Sequence, residues 1–212
     1  MSKEEEKKRL SEALILHPQI KTLNYLGGGN RGEAYLLNDN KVLKISNDYK
    51  EYSTAMIIKN RNLKHVINVY DGWSVDCAYD EEETEIIYVI IEEYIDTSSK
   101  KDIVAKFVSI FKHAWFSVYF PNIERRNRAT FYDLDEYMRD PENHLDAIDS
   151  TKQFVLKEGA KNNLHNEFSK IYDQLISAYV ELYQNAPDSH LDLNDGNIGF
   201  TSDGILKVFD MQ

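Results

Sequence analysis

The 212-residue chain is 42% hydrophobic and 29% charged with a net charge of −11, the make-up of a soluble globular protein large enough for one domain or two small lobes. So acidic a balance disfavours nucleic acid and anionic membrane as partners, because both need a basic face. One cysteine, Cys77, excludes an intrachain disulfide; a half-buried thiol in a reducing compartment is expected.

The opening "MSKEEEKKRL" has charge where a signal peptide needs an apolar core. Ser2 and Glu5 are spaced as a capping box for a short helix ending near Leu16. "IKTLNYLGGGNRGEAYLL" (20–37) then reads as strand, glycine loop, strand. A turn follows at 38–40, and "KVLKIS" (41–46) returns as a third strand. "KEYSTAMIIKNRNL" (50–63) reads as helix. "HVINVYDGWSV" (65–75) and "TEIIYVIIEEYI" (84–95) read as strands joined by the acidic loop "DCAYDEEE" (76–83).

Beyond Ile95 the period changes. Ile103, Phe107, Phe111, Ala114 and Val118 recur at helical spacing, as do Leu164, Phe168, Ile171, Leu175, Tyr179 and Leu182. Lys106, Lys112 and His113 interrupt the most apolar stretch, 103–120, and argue against a membrane span. A cytoplasmic protein is expected. The final hairpin turns at "SDG" (202–204) between "NIGF" and "ILKVF". The class is α+β in two lobes, residues 1–95 and 96–212.

Gly27, Gly29 and Gly32 form G-x-G-x-x-G, a pattern shared with dinucleotide-binding folds. Those folds need a helix directly after the glycines to meet the pyrophosphate. Here a strand follows, so the loop is a hairpin that can lay backbone N–H groups over phosphates. Lys44, between Leu43 and Ile45, is placed either as a solvated strand lysine or as a cation beneath that hairpin. In the second case it needs a carboxylate partner. Glu51 is the candidate, and a favourable charge in a first helical turn explains it equally.

His190, Asp192 and Asn197 form H-x-D-x-x-x-x-N, and Asp210 follows across a hairpin. A carboxylate that accepts a hydroxyl proton must stay off metal, which suits Asp192. The Asn197 amide oxygen and the Asp210 carboxylate are hard ligands of the kind Mg2+ takes. His190 reads as a structural hydrogen-bonder, and Asp195 as a turn residue before Gly196.

Together "LGGGNRGEAY", "VLKIS", "VIIEEYID", "HLDLNDGN" and "VFD" resemble, in order, the motifs of the protein-kinase-like superfamily. The resemblance covers about residues 20–95 and 164–212 and leaves about 100–160 unmatched. It implies a two-lobed fold with an antiparallel N-lobe sheet and a reduced, mainly helical C-lobe. ATP and Mg2+ are the implied cofactors. Gly27, Gly28, Gly29, Asn30, Arg31 and Gly32 would cover the phosphates, with Lys44 paired to Glu51. The backbone of Glu93, Tyr94 and Ile95 would meet the adenine. Asp192 would be the catalytic aspartate, and Asn197 and Asp210 would hold the metal.

The chain departs from the pattern in several places. Asp210 is followed by Met211 and Gln212, so the sequence is expected to end once the last metal ligand is placed, lacking an activation segment and later helices. Leu191 and Asn194 stand where many protein kinases carry arginine and lysine. "DLNDGN" is similar to the "DLHPGN" of small-molecule kinases such as aminoglycoside and choline phosphotransferases.

Three readings follow: a compact serine/threonine-type protein kinase, favoured first; a small-molecule kinase; and a non-catalytic nucleotide-binding module. The presence of a proton acceptor argues against the last. Expected partners are ATP and a protein or small-molecule hydroxyl acceptor. Residues 103–120 are expected to pack on the helix at 164–183 and wall the acceptor site, with Arg125, Arg126 and Arg128 at its rim. A homodimer surface within 100–160 would use the same aromatic excess.

Overall fold

The computed structural model describes residues 3–20, 24–28, 32–78, 84–119 and 145–211. The fold is α+β, as expected, and the chain forms two compact units, residues 1–63 with 67–94 and residues 64–66 with 95–211.

The first unit is a five-stranded antiparallel sheet in the order β1-β2-β3-β5-β4. Its strands are β1 (Asn24–Gly28), β2 (Gly32–Leu37), β3 (Lys41–Ser46), β4 (Val69–Ala78) and β5 (Thr84–Glu93). Two helices accompany it, α1 (Lys3–Ala13) and α2 (Tyr49–Ile58). The ladder register sorts side chains to the two faces, because paired residues point the same way. One cross-strand row runs Glu33, Ile45, Val89, Trp73 and faces α1; the next runs Ala34, Lys44, Ile90, Gly72. Tyr35, Leu43, Ile45, Ile87, Val89 and Cys77 build the core with Ala13 of α1. Cys77 is fully buried, deeper than a half-buried thiol, because it lies on a ladder that continues to Ala78 opposite Thr84.

Three boundaries differ from the sequence reading. The strand expected at 65–75 begins only at Val69 and runs on through Asp76–Ala78, residues expected in a loop. Its β5 partner supplies ladder bonds along the whole stretch, which outweighs the local acidity. The helix expected over 50–63 stops at Ile58, and Asn60 and Asn62 take positive φ beyond it. Asp48 caps its start by accepting from the N–H groups of Lys50 and Glu51. The helix expected to end near Leu16 stops at Ala13, and the Ser2–Glu5 capping pair lies outside the described residues, as does 79–83.

The second unit contains α3 (Lys101–Tyr119), α4 (Leu145–Lys161), α5 (His165–Asn185) and a two-stranded sheet of β6 (Ile198–Phe200) and β7 (Leu206–Val208). Phe107 meets Phe168 edge-on at 5.5 Å, and Phe111 meets Tyr172 at 5.8 Å. So 103–119 packs on the helix at 165–185, as its period implied. Phe107, Phe111 and Trp115 are buried within the unit, and those rings are not a surface for a second copy. Helix α4 was not foreseen; it contacts both α3 and α5. The arginines 125, 126 and 128 fall outside the described residues. Among the described residues no helix is long and apolar enough to cross a membrane.

Residues 64–66 are stitched into this second unit rather than continuing a strand. The His65 N–H donates to Glu181 at 2.7 Å, and the Val208 N–H donates to the His65 carbonyl at 2.9 Å. Lys207 Nζ donates to the Val66 carbonyl at 3.1 Å. The β6–β7 hairpin is thereby pinned to α5.

Candidate functional site

In the second unit the residues around Asp192 are assembled by backbone first. Asn194 adopts extended backbone, and its side chain accepts from the Gly196 N–H at 2.8 Å, capping a 3-10 turn over Asp195–Asn197. That turn feeds β6. The hairpin then returns through β7, whose register sets Val208 opposite Ile198. The Phe209 N–H donates to the Asn197 carbonyl at 3.1 Å, and Leu191 bridges Met211. Asp210 is thus fixed from both sides, with Met211 buried beside it.

The side chains then converge. Asn197 is buried, and its NH2 donates to the Asp192 carbonyl at 2.9 Å and to Asp210 Oδ2 at 3.4 Å. Asp192 Oδ2 accepts from Asn194 Nδ2 at 3.1 Å while Asp192 itself stays exposed. Asp210 has φ 62°, a left-handed backbone that costs a non-glycine residue on the order of 1–3 kcal/mol. Among the described residues, four of the other five positive-φ non-glycine residues are asparagines, for which that region is easy. Aspartate also reaches that region more readily than most residues, and the bridge and bond that flank Asp210 hold it there.

These groups fit a hard cation such as Mg2+. With the Asn197 NH2 committed to Asp192 and Asp210, its amide oxygen is left as the ligand atom. The Asp210 carboxylate stands next to it. Asn197 and Asp210 would hold the ion, leaving Asp192 clear of it. Among the described residues no group of three His, Cys, Asp or Glu forms a metal cluster, so coordination would need phosphate and water oxygens as well.

In the first unit Lys44 and Glu51 are joined as an ion pair, with side chains 19% and 8% exposed. The pair selects between the two readings of each residue: Lys44 is not a solvated strand lysine, and Glu51 does more than charge a first helical turn. Gly32, which closes the glycine hairpin, cannot be larger, since an added Cβ would lie 2.3 Å from the Ile45 carbonyl oxygen. Gly27 and Gly28 end β1, and Gly29, Asn30 and Arg31 lie outside the described residues. Of the expected adenine-facing backbone, the Glu93 N–H donates to the Asn68 carbonyl at 2.9 Å and the Tyr94 N–H to the Asn40 carbonyl at 3.0 Å. Those two donors are spoken for; Ile95 belongs to the second unit.

One charged neighbour was missed by the sequence reading. α3 packs against the 3-10 turn, and Lys112 lies in the field of Asp192 and Asp195. Burial pushes its ammonium below the usual lysine range, and the two carboxylates oppose that shift. The signal was the lysine itself, breaking an otherwise apolar helical face; periodicity registers the break but not what faces it.

No protein-family model matches the chain, and no curated protein matches it. Several solved structures are similar to it. The streptomycin–ATP–APH(2'')-IIa ternary complex is 15% identical with a TM-score of 0.31, over 99% of this chain and 70% of that one. The GDP and kanamycin complex of APH(2'')-IIIa is 12% identical with a TM-score of 0.36, over 95% and 71%. ADP-bound aminoglycoside phosphotransferase APH(2'')-Ib is 17% identical with a TM-score of 0.35, over 95% and 69%. Likeness at these identities and TM-scores fixes neither activity nor substrate.

Proposed function

We propose that this chain is an ATP-dependent phosphotransferase that moves the terminal phosphoryl group of Mg·ATP to a hydroxyl. The observation that carries the reading is the Asn197 amide, whose nitrogen ties the Asp192 backbone to Asp210 and so leaves its oxygen as the atom that would meet a cation. Asp192, exposed and oriented by Asn194, is placed to accept the proton of an attacking hydroxyl. Lys44, held by Glu51, supplies the cation for the α- and β-phosphates. Mg2+, when bound, neutralises phosphate charge; the chain's own residues orient the groups around it.

A protein hydroxyl is the first acceptor class. A small-molecule alcohol is the second, and a specific observation favours it: Asn194 spends its side chain on capping the turn and holding Asp192. Asparagine is neutral, so this position offers no cation toward a protein acceptor, in keeping with "DLNDGN".

The test has two arms. Saturating Mg·ATP at about a hundred times its dissociation constant should add roughly 2.7 kcal/mol of stability, a shift of about 5–11 °C at 2–4 °C per kcal/mol. Labelled ATP should then transfer phosphate to a component of lysate or to a panel of aminoalcohols and amino sugars. Binding without transfer in any arm would support a nucleotide-binding module instead. No thermal shift with Mg·ATP, Mg·GTP or the diphosphates would end the phosphotransferase reading.

A further inference from the structure

The sheet face opposite Lys44 holds a charged pair that the proposed chemistry does not use. Glu33, the residue directly after Gly32, is 2% exposed, and Arg9 of α1 is 4% exposed. Arg9 Nη1 lies 3.8 Å from Glu33 Oε1, and the Tyr35 hydroxyl donates to Glu33 Oε2 at 2.6 Å. Glu33 pairs across the ladder with Gly28, the last residue of β1, and with Ile45 of β3. A Cβ at Gly28 would stand 3.6 Å from Glu33 Cγ and 2.8 Å from the Tyr25 hydroxyl. The buried carboxylate therefore sits at the root of the glycine hairpin, where β1 ends and β2 begins.

A buried ion pair is a poor way to make a sheet stable, because desolvation offsets most of the attraction and an apolar filling does as well or better. What such a pair does supply is an electrostatic link between α1 and β2, here at ion-pair distance. Helix α1 is itself docked by independent contacts: Trp73 Nε1 donates to the Ala13 carbonyl at 2.9 Å, and His17 stacks on Trp73 at 3.8 Å. Arg9 then carries that docking to Glu33, the second residue of β2.

We propose that Arg9 is a positioning residue for the glycine hairpin, so that docking of α1 on the outer sheet face and nucleotide binding at the hairpin are linked. This rests on the phosphotransferase reading, which gives the hairpin its ligand. With α1 seated, Arg9 fixes the Glu33 carboxylate and with it the register of Gly28 against Glu33. With Arg9 gone or α1 displaced, the hairpin root at Gly28 and Gly32–Glu33 loosens and must be tightened again at the expense of binding. Linkage is reciprocal: nucleotide in the loop holds α1 on the sheet.

The experiment compares the full chain with Arg9→Met, Arg9→Lys and the double variant Arg9→Met/Glu33→Gln, which leaves no buried charge and serves if Arg9→Met folds poorly. Arg9→Met should weaken Mg·ATP binding about tenfold by calorimetry, and Arg9→Lys should recover part of the loss. The double variant should fold and still bind weakly. Amide hydrogen exchange should quicken in Gly32–Leu37 and not in β4 or β5, and Mg·ATP should slow exchange in α1 of the unmodified chain. An unchanged dissociation constant in Arg9→Met alongside a lower Tm would make Arg9 purely structural and overturn the proposal. Full recovery of affinity in the double variant would overturn it too. If the unmodified chain binds no nucleotide, the phosphotransferase reading falls on its own. Exchange in Gly32–Leu37 then decides this proposal separately, and equal protection in Arg9→Met and the unmodified chain would refute it.

Discussion

Asn197 donates its amide to the Asp192 backbone carbonyl at 2.9 Å, and the same nitrogen lies 3.4 Å from Asp210 Oδ2. One buried amide thus sets the spacing of two carboxylates that come from a loop and from the far side of a hairpin. Their roles separate on that geometry. Asp192 is exposed and held from its own loop, whereas Asp210 is half-buried and held by the Phe209 backbone bond and the Leu191–Met211 bridge on either side of it.

Asp192→Asn should therefore keep Mg·ATP affinity within about threefold and lower phosphoryl transfer about 10²–10⁴-fold, the usual worth of a positioned base. On the proposed assignment Asp210→Ala should lose both, because it would remove a ligand of the ion that carries the nucleotide. Titrating each variant with Mg·ATP and with ATP plus EDTA checks the division. A loss of metal-dependent binding confined to Asp192→Asn would mean the two carboxylates had been assigned the wrong way round.

Lys44 and Glu51 lean on one another in a site where neither is well solvated. Lys44→Met leaves the Glu51 carboxylate without its cation, and breaking such a pair costs about 3 kcal/mol. Glu51→Gln keeps a hydrogen-bonding partner for the ammonium and should cost less, on the order of 1 kcal/mol. Both should weaken Mg·ATP binding, Lys44→Met the more. Urea unfolding gives the first ranking and calorimetric titration the second. Equal stability of Lys44→Met and the unmodified chain would show that the pair is too wet to matter.

The order of elements was legible because it is written in short-range signals. The glycine hairpin, the return through "KVLKIS" and the turn at 202–204 each rest on neighbours in the chain. The Lys44–Glu51 pairing was open in sequence, since a carboxylate in a first helical turn has a use of its own; only the ion pair formed between strand and helix in the fold decides it. Three features could not be read. Helix α4 (Leu145–Lys161) is polar enough along its length to hide its buried side of Ile148, Thr151 and Val155. The tie of Arg9 to Glu33 joins residues 24 positions apart with no periodic pattern between them. His65 and Val66 look like strand residues, and it is tertiary bonding to Glu181 and Val208 that takes them elsewhere.

Gly199 sets how closely β6 can approach the chain at Ile95. A Cβ there would stand 2.2 Å from Ile95 Cγ2 and 3.1 Å from the Asp96 carbonyl oxygen. Gly199→Ala should cost about 1–3 kcal/mol through overpacking, lowering Tm by roughly 2–4 °C for each. Ile95→Ala removes the clashing methyl, so the double variant should be less destabilised than the sum of the singles. Strict additivity in thermal unfolding would place the strain somewhere other than this contact.

Lys112 decides between two opposing effects. Burial disfavours its charge, and Asp192 with Asp195 favours it; burial is the larger, so the ammonium titrates below the ordinary lysine range. The sign follows. Between the folded and unfolded values the unfolded chain binds more protons, so this residue makes stability rise with pH across the window just below the usual lysine pKa, and at pH 7 its charge is a net burden. Lys112→Met should remove that rise and leave stability at pH 7 equal or higher. Lys112→Glu should set a third carboxylate against Asp192 and Asp195 and destabilise at pH 7, with relief as the pH falls toward about 4 and the carboxylates protonate. Urea unfolding of the three proteins from pH 4 to pH 10 measures all of this. A Lys112→Met variant clearly less stable than the unmodified chain at pH 7 would show that attraction to the two carboxylates outweighs burial, and the ordering argued here would be reversed.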